Sequence, residues 1–419
     1  MKTLKRVVIT GVGAVTPIGV GKTDIVENLK LAKTGIKPIS QISTDNLPVK
    51  FGGEINNFDP SEFLDQKAIR RNDRFIHFCL AAAQMAIEDA KLSPEQLETA
   101  GVAIGVGLGG LRTIEEAAFG VVESNFRKVG PFFVPAILSN LASGQVSIKY
   151  GIKGPNYAVS SACASGSQAI GQAFREIQVG RRQIWIAGGA EAPISTLSIA
   201  GFSAARTLSR KNEEFESASR PFDEARDGFV LGEGSSILVL ESLDSALERG
   251  AKIYAEILGF GIASDGYHVT EPEPDGEGAF SAMSEALEDA QIAAEKIDYV
   301  NAHATSTPVG DRIEAIALQR ILQNHSEQTY VSSTKSLTGH LCGAAGAIET
   351  AFCLYMLDGK FLAPAHNLDS PCSEFKFKIP KPVDLTFAPR IIMNNSFGFG
   401  GINTSMVLDG QPETKQTIA

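Results

Sequence analysis

YAVSSACASGSQAIGQAF, residues 157–174, is echoed downstream by YVSSTKSLTGHLCGAAGAIETAF, residues 330–352. Each stretch reads as a short strand, a polar turn of small residues, and then a Gly/Ala-rich helix. Two further pairs fall in step with them. GVAIGVGLGG (101–110) can be set beside IDYVNAHATST (297–307), and SSILVLES (235–242) beside TSMVLDG (404–410). Self-similarity on this scale predicts two duplicated halves. They would occupy residues 1–255 and 256–411, with a short tail at 412–419. Strands are expected at 6–11 (RVVITG), 100–105, 157–161 and 184–188 (IWIAG), with helical patterns such as 73–90 between them. This alternation points to an α/β fold with mostly parallel central strands. The small residues of the two echoing helices would let those helices approach closely, as helices held between two sheets must.

Composition narrows the function. The 419 residues are 43% apolar and 21% charged, ordinary for a globular protein, with enough chain for two or three core-forming units. The formal net charge of −10 argues against general nucleic-acid binding, which needs a positive field. No long uninterrupted apolar run suggests a membrane span. The N-terminal apolar stretch is broken by glycines and Pro17, unlike a secretory leader. Five cysteines are scattered without paired spacing, so neither a disulfide framework nor a structural zinc is expected, and a cytoplasmic location fits.

Among those cysteines, Cys163 stands apart. It sits in SSACASG between a strand and a helix running to about residue 179, the setting of a nucleophile lifted out of a sheet on a sharp turn. A helix N-terminus there should favour the thiolate and lower the thiol's pKa. A thiolate can take an acyl group from a thioester and hold it as another thioester. Cys79 and Cys353 lie inside apolar helical patterns and read as core residues, and Cys372 is given the same reading.

Two of the six histidines fall in comparable polar loops: His303 in NAHATSTPVGD and His340 in STKSLTGH. Loops after strands are where α/β sheets place their chemistry. Zinc is a poor occupant for one cysteine and two histidines with no fourth ligand beside them. Two neutral imidazoles suit another task, donating hydrogen bonds to a thioester carbonyl as an enolate forms. NNSFGFGGINTS (394–405) adds a glycine-flanked Phe399, whose backbone N–H could join that of Cys163 in an oxyanion hole.

Taken together, RVVITGVGAVTPIG at the start, GPFFVP (130–135), YGIKGPNYAVSSACASG, SRPFDEARDGFVLGEG (219–234), SDGYHVTEPEPDGEGA, NAHATSTPVGD, STKSLTGHLCGAAGAIE and NSFGFGG resemble the β-ketoacyl-acyl-carrier-protein synthases of the elongating type, synthase II most closely. The resemblance covers nearly the whole chain. It implies a thiolase-like five-layered αβαβα fold from two duplicated halves, a homodimer, and a ping-pong condensation of an acyl thioester with malonyl-acyl-carrier-protein in fatty-acid elongation. Cys163 would be the acylated nucleophile, and His303 and His340 the pair promoting decarboxylation. Lys335 would be the active-site lysine, paired with Glu349. Thr305 and Thr307 would bind the pantetheine arm, Phe399 would gate, and Leu108 would limit acyl-chain depth. No redox or nucleotide cofactor is implied, while a monovalent cation could lie near Asn301, Glu349 and Asn394. The acidic carrier protein calls for a basic docking patch, for which Lys67, Arg70, Arg71 and Arg74 are the candidates. Other readings are a ketosynthase of a specialised lipid or polyketide pathway and a non-catalytic chain-length partner, which would lack the nucleophile. Ala304, Cys342 and the GFGGIN variant of the C-terminal loop depart from the usual pattern.

Overall fold

The computed structural model describes residues 4–123, 126 and 129–413, so the expected tail, 412–419, lies outside the described residues from 414 onward. Ten strands form one continuous path. They are β1 (Val7–Thr16), β2 (Gly101–Gly105), β3 (Asn156–Val159), β4 (Ile184–Glu191), β5 (Gly234–Ser242), β6 (Ala255–Ser264), β7 (Tyr299–Asn301), β8 (Tyr330–Ser332), β9 (Ile391–Gly398) and β10 (Ile402–Asp409). Their order is β8-β7-β9-β10-β6-β1-β5-β4-β2-β3, with the two-residue strand Gly19–Val20 added beside β1. Read outward from the β1/β6 junction, each half repeats the same order: first strand, fifth, fourth, second, third. The three pairs of similar segments fall on equivalent strands: β2 with β7, β3 with β8, β5 with β10.

The sheet is more mixed than expected. Only β2/β3, β2/β4, β7/β8 and β7/β9 are parallel. The six strands spanning the middle, from β4 to β9, are mutually antiparallel. The cause lies in the connections. β9 returns directly into β10 through the turn at Phe399–Gly401, and β1 lies between β5 and β6 and runs against both.

The helices that matter are α1 (Arg74–Ala90), α2 (Ser165–Gln178), α3 (Glu277–Ala290), α4 (Pro308–Leu322) and α5 (Ala345–Gly359). α1 covers the outer face of the first half, packing Phe75, Phe78, Ala82 and Ala86 against Val102, Ile104, Ile237 and Val239. α3 and α4 cover the second, where Met283, Ala286 and Leu318 meet Val300, Met393 and Val407. Between the halves lie α2 and α5, whose Ile170, Phe174, Ile348 and Phe352 fill a core shared by strands of both halves. That gives five layers, αβαβα. Only three residue pairs join β1 to β6, so the two half-sheets fold around the central helices at that seam.

β1 also runs past its expected end at residue 11. Gly11 and Gly13 lie inside it, because α1 presses on the strand there: a Cβ on Gly13 would fall 2.1 Å from the Ala82 carbonyl oxygen. Gly261 on β6 meets α3 identically, 2.0 Å from the Ala282 oxygen. Among the described residues no helix is long and apolar enough to cross a membrane.

Candidate active site

After β3 the chain enters a tight turn at Ala162–Ala164 and then α2. Ala162 has φ +48°, a left-handed conformation that a non-glycine residue adopts only when its surroundings impose it. Here the Ser165 hydroxyl accepts from the Ser161 N–H at 2.9 Å and donates to the Ala162 carbonyl at 2.6 Å. The bend aims Cys163 away from the sheet. The second half repeats the device: Cys342 has φ +46° and opens the turn Cys342–Ala344 before α5. The residue equivalent to Cys163 is Gly343, so one half supplies the sulfur and the other the histidines.

His340 Nε2 lies 2.9 Å from Cys163 Sγ. The His303 and His340 rings meet edge to face, 5.4 Å between centroids. Nitrogen and sulfur atoms of Cys163, His303 and His340 all lie within 4.8 Å of one another. They line a cavity of about 570 Å³, together with Phe399, Thr305, Thr307, Leu108, Phe229 and Cys342. The three segments that carry the chemistry therefore converge on one pocket.

Electrostatics decides the protonation states. Burial pushes the Cys163 thiol up to about 11, although the Phe399 N–H and the Lys335 ammonium pull it down. Burial thus raises this thiol, against the lowering expected from the helix N-terminus. Its proton must go to a base, and His340 is placed to take it. Burial, reinforced by Lys335, holds both imidazoles well below their usual pKa, so His303 and His340 are neutral near pH 7. The same ammonium opposes a divalent cation among these ligands.

Lys335 is almost wholly buried and pairs with Glu349, itself 4% exposed. Burial raises the Glu349 carboxyl while the Lys335 charge opposes the rise. A buried pair of this kind is held by its mutual attraction and would leave a naked charge if either member were lost.

The loops carrying the histidines are tied down from behind. The His340 N–H donates to the Val230 oxygen at 2.7 Å, its carbonyl accepts from Gly232 N–H at 2.9 Å, and the Phe229 ring packs edge-on to the imidazole. The segment 228–234 is thus a cradle for His340. Glu314, on α4, accepts from the N–H groups of His303 (2.9 Å) and Ala304 (2.6 Å) and from Asn395 Nδ2 (3.2 Å). Asp311 accepts from the N–H groups of Ser306 and Phe222. Ser306 has φ +72°, and this kink brings the Thr305 and Thr307 hydroxyls to 3.1 Å, both in the cavity wall. Sequence reasoning missed Phe229, Glu314 and Asp311. The two acids did leave a signal, charges on the buried face of an otherwise apolar helix.

Phe399 follows Gly398, which packs so tightly that a Cβ would lie 2.6 Å from the Ser161 oxygen. The Phe399 N–H donates to the Cys163 thiol, which puts it where an oxyanion donor is needed. Asn301 and Asn394 are register partners on β7 and β9. Asn394 Nδ2 donates to the Gly346 oxygen and Thr350, and Asn301 Nδ2 contacts Cys353, so both amides flank the α5 face that bears Glu349. Asn301 Oδ1, Asn394 Oδ1 and Glu349 Oε2 are buried without a hydrogen-bond partner, a set of oxygen donors that fits a monovalent cation.

The basic cluster divides. Lys67 and Arg70 are exposed on the short helix Gln66–Arg71, and Arg71 stacks over Phe132 at 4.2 Å. Arg74 does not belong with them. Its guanidinium is bound to the buried Glu233 at 2.8 Å and lies over the Phe78 ring, which makes it a structural anchor.

Residues 4–246 match the family of β-ketoacyl synthase N-terminal domains, and residues 254–369 the corresponding C-terminal domain family. The chain is 45% identical over 404 residues to a 3-oxoacyl-[acyl-carrier-protein] synthase 2 from Synechocystis sp., covering 96% of this chain and 97% of that protein. Among solved structures, it superposes on the ishigamide ketosynthase/chain length factor with a TM-score of 0.91 at 28% identity, covering 98% of this chain and all of that one. The ketosynthase complex AntDE:AntF, which holds a type II PKS acyl-carrier protein, matches with a TM-score of 0.89 at 29% identity, over 97% of this chain and all of that one.

Proposed function

Since the chain belongs to the β-ketoacyl synthase family, we infer that Cys163, His303 and His340 carry out its chemistry within the one cavity. The reaction is the decarboxylative condensation of an acyl thioester with malonyl-acyl-carrier-protein in fatty-acid elongation, the activity of a 3-oxoacyl-[acyl-carrier-protein] synthase 2. The observation that carries the residue assignment is a sulfur and two neutral imidazoles within 4.8 Å of one another.

In the first half-reaction the Cys163 sulfur attacks the acyl carbonyl as His340 Nε2 takes the thiol proton. The N–H groups of Cys163 and Phe399 stabilise the oxyanion, and the carrier leaves as a thiol carrying that proton. In the second, with the His340 proton exchanged from Nδ1 to Nε2, the malonyl carbonyl oxygen receives hydrogen bonds from His303 and His340, carbon dioxide departs, and the enolate carbon attacks the Cys163 thioester. The carbon–sulfur bond breaks, giving a 3-ketoacyl carrier and a Cys163 thiolate, which takes a proton from solvent to regain the thiol. Thr305 and Thr307 hold the pantetheine arm, and Leu108 stands at the acyl end. Asn301, Asn394 and Glu349 would hold a monovalent cation, which would satisfy their unpartnered buried oxygens. A purified-chain assay with acyl- and malonyl-carrier thioesters tests this reading: product two carbons longer, equimolar with carbon dioxide, supports it, and acyl hydrolysis alone refutes it.

Lys67 and Arg70 are the proposed contacts for the acidic carrier, a partner class supported by the carrier-bound AntDE:AntF complex. Reversing both charges should raise KM for carrier-bound substrates about tenfold at low salt, with kcat retained and the effect fading at high salt. A substrate on free pantetheine should not respond. A response there would remove the carrier assignment.

We also infer a homodimer with its halves divided near residue 255. Among the described residues the edge strand β3 has no partner on its outer side, and Phe119, Val122 and Ile148 are exposed, by 58%, 86% and 71%. Light scattering should give twice the chain mass; a monomer at micromolar concentration would exclude it. A cytoplasmic location belongs to the same reading, supported by five free cysteines.

A further inference from the structure

Glu191 closes β4 and is completely buried. Its carboxylate is held by backbone N–H groups from two distant loops. Oε2 accepts from Gly107 at 2.7 Å, Leu108 at 3.1 Å and Gly343 at 3.0 Å; Oε1 accepts from Leu108 at 3.1 Å and Gly109 at 3.0 Å. Converging N–H groups of this kind form an anion-binding nest; here they hold down the Glu191 carboxyl, which burial pushes up to about 7.

The nest spans both halves of the molecule. Residues 107–109 follow β2 in the first half; Gly343 is the middle residue of the turn before α5 in the second, one residue after Cys342 and three after His340. At the seam the backbones touch: a Cβ on Gly343 would lie 2.3 Å from Gly107 N and 2.6 Å from Glu191 Oε2. Leu108 and Cys342 both line the cavity, so the carboxylate lies behind the part of the wall they form and fixes its two sides to each other. The Cys163 turn has hydrogen bonds of its own, between Ser165 and its neighbours, although the Glu191 charge reaches its sulfur.

We propose that Glu191 is a positioning residue for acyl-chain selection, locking the wall that bears Leu108 to the turn that bears Cys342 and so setting how deep a chain can reach. The proposal rests on the cavity being the condensing site. Glutamine in its place cannot accept all four N–H groups, because its amide nitrogen would face donors. The seam then relaxes where a long acyl chain ends, while the sulfur stays in place for a short one.

The test uses full-length Glu191→Gln and Glu191→Asp, with kcat/KM for acylation measured on carrier thioesters of short, medium and long chains. The long-to-short ratio is expected to shift by about tenfold in Glu191→Gln while the short-chain value stays within about threefold. If Glu191→Gln does not fold, the ratio is read on Glu191→Asp, which keeps the charge and shortens the reach. A uniform loss across all lengths, an unchanged ratio, or failure of both variants to melt cooperatively would overturn the proposal, since each assigns Glu191 to the fold alone. The unmodified enzyme separates the two claims: if it condenses no acyl chain, the condensing-enzyme reading fails, whatever Glu191 does.

Discussion

Cys163→Ala is expected to abolish condensation, with a loss on the order of 10⁵-fold. The size follows from what the cavity contains. The only other thiol in its wall is Cys342, which burial pushes well above the ordinary cysteine pKa, and the hydrogen bond that would draw off a proton, from sulfur to His340 Nε2 at 2.9 Å, belongs to Cys163. A water molecule attacking in place of the sulfur would hydrolyse the thioester and leave nothing for the enolate to meet. Alanine removes one atom from a turn held by Ser161 and Ser165, so the variant should melt like the parent. Steady-state assay with carrier-bound substrates checks the loss, and a variant retaining more than about one per cent of the rate would show that no covalent intermediate is required.

The second large effect concerns the histidines, and the structure predicts that they differ. His303→Ala should cut elongation by about 10²- to 10³-fold, the scale for losing one donor to a developing oxyanion, while acylation of Cys163 continues. His340→Ala should do the same to elongation and slow acylation as well, because only His340 touches the sulfur. Pre-steady-state acylation followed separately from elongation resolves the two steps. Equal damage to acylation in both variants would contradict the assignment of His340 as the base.

Both effects depend on a convergence that was partly visible in the chain. The duplication was legible because strand–turn–helix units with small residues recur, and their equivalence brings residue 163 beside residue 340. The glycines of β1 misled for a reason that is itself structural. Gly11 and Gly13 read as a strand end, yet they mark where a helix crosses a strand whose partner lies in another segment. Gly259 and Gly261 repeat the pattern on β6, a correspondence visible only once both helices are placed.

The supports of the site were harder to see. Glu191 meets its N–H partners across 84 and 152 residues of sequence, so no local pattern names them. Arg74 sits beside Lys67 and Arg70 in sequence, but its partner Glu233 is 159 residues away, and the fold turns it from a docking charge into an anchor. At Cys163 the sequence shows the helix that favours a thiolate and hides the burial that opposes it. Lys335 and Glu349 are paired in the sequence only through their motif; they lie on different helices, and the spacing of 14 residues between them carries no contact information of its own.

The account stands on acyl transfer to one sulfur. Incubating the protein with an acyl-carrier thioester and mapping the adduct by peptide mass spectrometry should place the acyl mass on Cys163 alone, and adding malonyl carrier should discharge it as a 3-ketoacyl product. An adduct on Cys342 or any other residue, or one on Cys163 that malonyl carrier does not discharge, would contradict it.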